Sequence, residues 1–379
     1  MNKALIVTSV ASMVDQFLLP SMYLLQNIGY DVHVACNFES GSTCTDEKVE
    51  ALKKILFSKK ITFYQIDFAR DVTNISQNIK AYKQLEQIIS TENYELIHCH
   101  SPIGGFVGRL AARGQRKHGT KVLYTAHGFH FYKGAPLKNW LLYYPVEKFC
   151  ARFTDVLITI NNEDYALAKK KMKAKRVEYV PGVGIDLSRF ENIQVDRDAK
   201  RREIGVPEDA FLLISVGELS ERKNHKVILQ ALSKIKLKNI HYVIVGRGAL
   251  LSELQDFALS QGVYDNVHFL GFRNDVAELY KVSDLFCFPS IHEGLPVALM
   301  ESMASGLPCV VSRIRGNTDL ISENSGLLIN TNDVDGFAQA IFNLANNSEL
   351  CVRMGIENKK KSRQYSVDKI LVGMRSIYK

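Results

Sequence analysis

The segment from Phe288 to Glu301 reads Phe-Pro-Ser-Ile-His-Glu-Gly-Leu-Pro-Val-Ala-Leu-Met-Glu and sets two carboxylates eight positions apart around a turn. A short apolar run ends at Phe288, the turn carries Glu293 and Gly294, and Pro296 suits the first turn of a helix. Glu301 then falls inside that helix among Leu299, Met300 and Met303. A carboxylate beside an apolar face is costly unless it is paired or accepts hydrogen bonds. The hydroxyls of a ribose are suitable donors; a partly exposed helical glutamate is the plain alternative. The two carboxylates do not suit one shared acid/base task. Eight residues of helix span about 12 Å, whereas glycosidase carboxylates stand about 5–9.5 Å apart. Two separate binding tasks fit better.

A second candidate is Gly217-Glu218-Leu219-Ser220-Glu221-Arg222-Lys223-Asn224-His225, which follows a β-branched run and precedes a helical one. Glycine permits close backbone approach, and two cations just before a helix N-terminus suit an anion such as a diphosphate. A solvated Arg-Lys pair is the other reading. Gly246-Arg247-Gly248 follows the next apolar run; it fits phosphate or ribose approach, or simply a tight turn, and lacks the spacing of a dinucleotide fingerprint. Thr125-Ala126-His127-Gly128 puts an imidazole at the end of a strand, where it could bond a sugar hydroxyl, a phosphate or its own backbone. His98-Cys99-His100 sets two imidazoles on one face, but no further ligands at metal-binding spacing accompany them, so no metal is expected.

Alternating elements must position these residues. Strand candidates in the first half are Ala4–Thr8, Asp31–Ala35, Thr62–Ile66, Leu96–Cys99, Lys121–Thr125, Val156–Ile160 and Arg176–Val180, with helical stretches such as 75–89, 105–117 and 137–151 between them. A breaker-rich segment, Val180-Pro181-Gly182-Val183-Gly184, leads into a polar stretch before the alternation resumes at Phe211–Val216, His241–Val245, Val267–Leu270, Leu285–Phe288 and Pro308–Val311. Helical periodicity fits 226–235, 250–259, 296–304 and 336–344. This pattern predicts an α/β chain of two Rossmann-like domains, each a parallel sheet covered by helices, with a boundary near 187/188. Ligands of such sheets sit beyond the carboxyl ends of the strands, so two domains face to face would share a cleft lined by the loops named above.

The chain has 379 residues, 46% hydrophobic and 23% charged, enough for two ordinary soluble cores. The formal charge of +8 favours an anionic partner, although runs such as Lys169–Arg176 and Lys359–Lys361 also read as solvated helix faces. The basic runs are not interleaved with aromatics, which argues against nucleic acid. Seven scattered cysteines without a C-x-x-C pair fit a reducing cytosol. The residues from Ala4 to Ala11 read as a buried first strand and turn rather than a leader, and no apolar run is long enough to span a bilayer. Around Phe129–Phe149, the aromatics and leucines Phe131, Tyr132, Trp140, Leu141, Leu142, Tyr143 and Tyr144 mix with Lys133, Lys138 and Lys148. That composition suits an anionic bilayer surface, or a helix packed on the sheet.

Taken together, Glu293 and Glu301 at this spacing, the Glu-Gly-Leu-Pro helix entry, Phe269-Leu270-Gly271-Phe272, Gly217 with Lys223, and Thr-Ala-His-Gly at 125–128 resemble the GT-B retaining glycosyltransferases of family four, especially those of bacterial capsule and exopolysaccharide synthesis. The resemblance covers the whole chain. It implies an acceptor-binding domain over 1–187, a nucleotide-sugar-binding domain over 188–362, and a last helix, within 363–379, that returns to the first. It implies that Glu301 holds the donor ribose, that Glu293 with the backbone of Gly294 and Leu295 holds the donor sugar, that Lys223 binds the diphosphate, that backbone near Arg273 reads the base, and that His127 contacts the sugar near the reacting carbon. Gly217 and Gly246 border the donor. Two departures stand out: Glu218 occupies a position where the family carries a cation, leaving Arg222 as its substitute, and the first loop, Ser9 to Met13, lacks the usual glycine pair. The expectation is a metal-independent transferase needing no cofactor. It would move a hexose or N-acetylhexosamine from a nucleotide-sugar, preferably a UDP-sugar, to a lipid-diphosphate-linked saccharide at the inner face of the cell membrane. A sugar-nucleotide epimerase and a non-catalytic nucleotide-sugar-binding protein of the same fold are the alternatives.

Overall fold

The computed structural model describes residues 2–41, 44–235 and 239–379. The chain divides into two compact units, residues 1–183 with 368–379, and residues 184–367. The division falls four residues before the 187/188 boundary read from the sequence, and the returning segment begins at Asp368 rather than at 363. Backbone pairing gives the reason. Ile185 bridges to Ser366 and donates its N–H to the carbonyl of Tyr365 at 2.9 Å, which ties both ends of the second unit together.

The first unit is built on seven parallel strands: β1 (Asn2–Val10), β2 (Tyr30–Asn37), β3 (Thr62–Gln65), β4 (Leu96–His100), β5 (Lys121–Ala126), β6 (Val156–Thr159) and β7 (Arg176–Tyr179), in the order β3-β2-β1-β4-β5-β6-β7. The strands are apolar on both faces because helices cover both, as a parallel sheet requires. Ala4 and Ile6 pack on one face with Met22, Leu52, Ile370 and Met374; Leu5 and Val7 pack on the other with Leu85, Val107 and Ala168. The first face is thus partly completed by the final helix, Val367–Tyr378. On the second face the helix Pro102–Ala112 sits tight against the sheet. A Cβ on Gly105 would lie 2.3 Å from the Tyr124 ring, and one on Gly108 would lie 2.7 Å from Cys99 Sγ.

The second unit has six parallel strands: β8 (Phe211–Val216), β9 (Ile240–Val245), β10 (Val267–Gly271), β11 (Leu285–Phe288), β12 (Cys309–Ser312) and β13 (Gly326–Ile329), in the order β10-β9-β8-β11-β12-β13. In both units the strand order reverses beside the first strand, between β1 and β4 and between β8 and β11. Loops that leave such a pair diverge and open a crevice at the carboxyl edge.

Some expectations need correction. The segment Ser9–Met13 is not a loop: β1 runs to Val10 and a helical turn begins at Ala11. The aromatic run near Phe129 is not all surface. Phe129 and Phe131 are core, stacked at 4.7 Å, and Trp140 and Tyr144 close on Phe131 at 5.6 and 5.4 Å. What the helix Leu137–Cys150 exposes is Leu137, Leu141, Leu142, Val146 and Phe149. The basic runs at 169–171 and 359–361 each occupy the last turn of a helix, where cations offset the negative dipole end. Among the described residues, no helix is long and apolar enough to cross a membrane.

Candidate active site

The loops after β8 and β11, the two strands at the reversal, bring the predicted residues of the second unit together. A single oxygen of the buried Glu293 carboxylate accepts from two cations, Arg222 Nη1 at 2.6 Å and Lys223 Nζ at 2.8 Å. The loops are also joined through backbone, the N–H of Ile291 donating to the carbonyl of Arg222 at 2.8 Å. Lys223 Nζ lies 4.4 Å from the centre of the Phe288 ring. Burial would raise the Glu293 carboxyl, yet the adjacent Lys223 and Arg222 charges hold it below its ordinary range. Burial pushes Lys223 below the usual lysine value, with the Glu293 charge opposing. The site therefore concentrates two cations around one carboxylate, with the charge of Glu218 also acting on Lys223.

The glycines of this region have packing reasons. A Cβ on Gly217 would meet Lys223 Cε at 2.9 Å, and one on Gly246 would lie 1.8 Å from the Gly217 carbonyl oxygen. One on Gly248 would lie 2.2 Å from the Leu219 oxygen. Gly246 and Gly248 thus let the loop after β9 press against the loop after β8. The N–H of Gly246 donates to the carbonyl of Gly271 at 2.8 Å, which fixes the turn leading to Arg273. The Arg273 side chain is engaged by Asp275 and Glu203. Any recognition there falls to backbone.

Glu301 sits one turn inside the helix Val297–Ala304, whose entry is formed by Gly294, the buried Leu295 and Pro296. Arg189 Nη1 approaches it no closer than 3.9 Å. Burial raises its carboxyl to about 7, with Arg189 opposing. This is a carboxylate short of hydrogen-bond donors.

Sequence reasoning missed two positions. Arg315 is buried and donates from Nε to the Glu293 carbonyl oxygen at 3.0 Å. Gly316 adopts φ +78°, and a Cβ there would lie 2.4 Å from the Gly294 oxygen. The loop after β12 therefore braces the Glu293–Leu295 backbone. An Arg-Gly pair after a strand was the available signal.

In the first unit, β4 and β5 carry a histidine row. His100 Nδ1 and His127 Nε2 stand 3.1 Å apart, so one donates and the other accepts. His98 bonds Thr125 Oγ1 at 2.8 Å and the Tyr378 hydroxyl at 3.0 Å, and its ring lies 4.0 Å from that of His100. Burial holds all three imidazoles well below the ordinary histidine value, hence neutral at pH 7. Each ring thus has protein partners. Among the described residues, no group of three or more acidic, histidine or cysteine side chains could hold a metal.

Comparison with known proteins decides the family. Residues 9–161 match the model "Glycosyl transferase 4-like" and residues 196–361 match "Glycosyl transferases group 1". EpsD of Bacillus subtilis (strain 168), whose name gives it as a glycosyltransferase, is 39% identical over 96% of this chain and 92% of its own. The chain is a retaining glycosyltransferase of family four. A second relative of this transferase, from Escherichia coli, is named UDP-Gal:alpha-D-GlcNAc-diphosphoundecaprenol alpha-1,3-galactosyltransferase; it is 31% identical over 89% of this chain and 86% of its own. The fold of this chain is that of GT-B glycosyltransferases. HepE of Anabaena, solved with UDP and glucose, superposes with a TM-score of 0.80 at 18% identity, covering 100% of this chain and 99% of that one. WaaG, a lipopolysaccharide glycosyltransferase, gives 0.75 at 18% identity over 99% and 98%.

Proposed function

We propose that this glycosyltransferase moves a hexose or N-acetylhexosamine from a UDP-sugar to a lipid-diphosphate-linked saccharide in cell-surface polysaccharide synthesis. The observation that carries the donor half is the pair of cations on the Glu293 oxygen, with the donor-poor Glu301 carboxylate further along the same loop and helix. Lys223 and Arg222 bind the diphosphate, Arg222 supplying the charge missing at Glu218. Glu301 accepts from the ribose hydroxyls, backbone before Arg273 meets the base, and Glu293 with the Gly294–Leu295 backbone meets the sugar. The acceptor half is supported by the name of the Escherichia coli relative.

On this reading the carboxylates are occupied in binding, and among the described residues we assign none as the nucleophile of a covalent intermediate. The reading is attack on the face from which the diphosphate leaves, the departing oxygen taking the acceptor's proton while Lys223 stabilises the charge that develops. His127, neutral and steadied by His100, orients the sugar. Incubation with a panel of UDP-hexoses and a lipid-diphosphate acceptor in excess EDTA tests the whole scheme. Product with the donor's anomeric configuration by NMR is expected. An inverted linkage, a requirement for Mg²⁺ or Mn²⁺, or epimerisation of donor alone would overturn it.

Glu301 also sets a pH dependence. Its folded carboxyl stands near 7, above the ordinary 4.5. Between those values the folded chain holds a proton the unfolded chain does not, so this group lowers stability as pH rises. Ribose hydroxyls donate best to the ionised form. UDP affinity should therefore rise about tenfold per pH unit below 7 and level off above it, and Glu301→Gln should flatten the profile. Calorimetric titration between pH 5.5 and 8.5 reads both, and a flat profile in the unmodified enzyme counts against the ribose assignment.

The exposed Leu137, Leu141 and Phe149, with Lys138 and Lys148 on the same helix, support peripheral docking on an anionic bilayer. Flotation with anionic liposomes at low salt should carry the enzyme upward, and Leu141→Glu with Phe149→Glu should abolish this. An enzyme that stays at the bottom at low salt removes the membrane from the scheme.

A further inference from the structure

On the second face of the seven-stranded sheet, three helices lie side by side: Ile75–Glu92, Pro102–Ala112 and Leu137–Cys150. Their interior faces join one core. Their outer faces do not lie level. Gly105 and Gly108 draw the middle helix down onto Tyr124 and Cys99, as described above, whereas neither flanking helix contains a glycine. The result is a groove of about 1260 Å³ including its open mouth. Phe106 and Leu110 form its floor, Ile75 and Ile79 one wall, Leu142 and Val146 the other. The one carboxylate at its edge, Glu147, is neutralised by the wholly buried Arg109 at 2.8 Å.

We infer that this groove holds the hydrocarbon chain of the acceptor lipid, as a single prenyl chain next to its diphosphate. The inference rests on the lipid-linked acceptor proposed above. Width favours a hydrocarbon chain over a helix as the occupant. Helices packed side by side at about 8–10 Å put the wall axes about 16–20 Å apart, and subtracting the walls' own radii of about 5–6 Å each leaves roughly 4–10 Å, centred near 7 Å. An α-helix with side chains needs about 10–12 Å; a hydrocarbon chain fits. Direction follows from the sheet. The groove begins at Pro102, two residues beyond His100, and its lining residue Tyr143 stacks at 4.6 Å on His130, three residues beyond His127. A chain lying in it would deliver its headgroup to the carboxyl edge where His100 and His127 stand. Charge at that end is mixed but basic on balance: Arg70, Lys133 and Lys138 are exposed on the segments that enter the groove, against Asp71 beside Arg70 and Glu163, which accepts from the Lys133 N–H at 2.7 Å.

The only tryptophan, Trp140, lies on a wall helix and serves as the reporter. With excess UDP present to occupy the donor site, farnesyl diphosphate should change its fluorescence saturably. Isopentenyl diphosphate, with the same headgroup, should bind at least tenfold more weakly. Ile79→Lys and Val146→Lys, both at exposed wall positions that do not threaten the fold, should each weaken farnesyl diphosphate at least tenfold. Phe57→Lys, on the exposed side of a helix that packs on the opposite face of the sheet, should leave its affinity unchanged. Equal affinity for the two diphosphates, or wall variants that bind like the parent, would overturn the groove assignment. Turnover separates the two readings. Farnesyl binding by the groove with transfer only to water-soluble sugars leaves the groove and removes the lipid-linked acceptor; undiminished transfer to a lipid-linked acceptor by both wall variants removes the groove and leaves the acceptor.

Discussion

Lys223→Ala is expected to lower kcat/KM by about 100- to 1000-fold, the range seen when one preorganised charge aimed at a developing anion is removed. The size follows from its setting. Lys223 is buried, and its ammonium is destabilised by that burial, so it gains from any anion that arrives. It needs little reorganisation, because Glu293 and the Phe288 ring already hold it. Arg222→Ala should be milder, since its side chain is 35% exposed and partly screened. The double variant should fall further than either. The measurement is steady-state kinetics on UDP-sugar with a melting curve as the fold control. Near-parental turnover in both single variants would place the diphosphate elsewhere.

Glu293→Ala should be the most destabilising change in the site. It leaves two cations around one vacated position, and removing one partner of a buried pair costs about 3–5 kcal/mol. For a unit of this size that is a fall of roughly 6–20 °C in Tm. UDP should recover much of the loss, because its diphosphate supplies the missing negative charge; the Tm gain on adding UDP should exceed that of the parent. Activity should stay low even at saturating donor, since the sugar contact is gone. Glu293→Gln, which keeps a hydrogen-bond acceptor, should fall between. An unchanged apo Tm, or a UDP-induced gain no larger than the parent's, would show that Glu293 is not the counter-charge of the diphosphate site.

Much of this was legible in the sequence because parallel strands are apolar on both faces and stand out as short β-branched runs. Phe211–Val216 and Leu285–Phe288 were placed to the residue. β13 was not foreseen. Its apolar run, Leu327 to Ile329, is only three residues long and opens on Gly326, and at the sheet edge only that glycine is fully buried. The helix after β1 was missed for a different reason: it opens through a π-helical segment, Val14–Leu18, which disturbs the 3.6-residue period. For the site, residue type and order were enough to single out Arg222, Lys223 and Glu293. Their convergence on a single oxygen was not, because the loops after β8 and β11 lie about 70 residues apart in the chain and meet only through the sheet order. The packing role of Gly246 could not be separated from a ligand role, since a glycine that admits a ligand and one that admits a neighbouring loop look alike in sequence.

The closing helix has a bearing on how the chain is made. Ile370, Met374, Ile377 and Tyr378 finish one face of the first sheet, and the Tyr378 hydroxyl holds His98. A ribosome delivers them only after the whole of the second unit. At about 5–20 residues per second, the unit that starts first must wait roughly 10–40 s with that face uncovered, while the second unit, being continuous, can close as soon as it emerges. The first-born half is thus the last to mature. Early chain termination that removes a dozen residues would leave intact the half that binds nucleotide and strip support from the histidine row of the other.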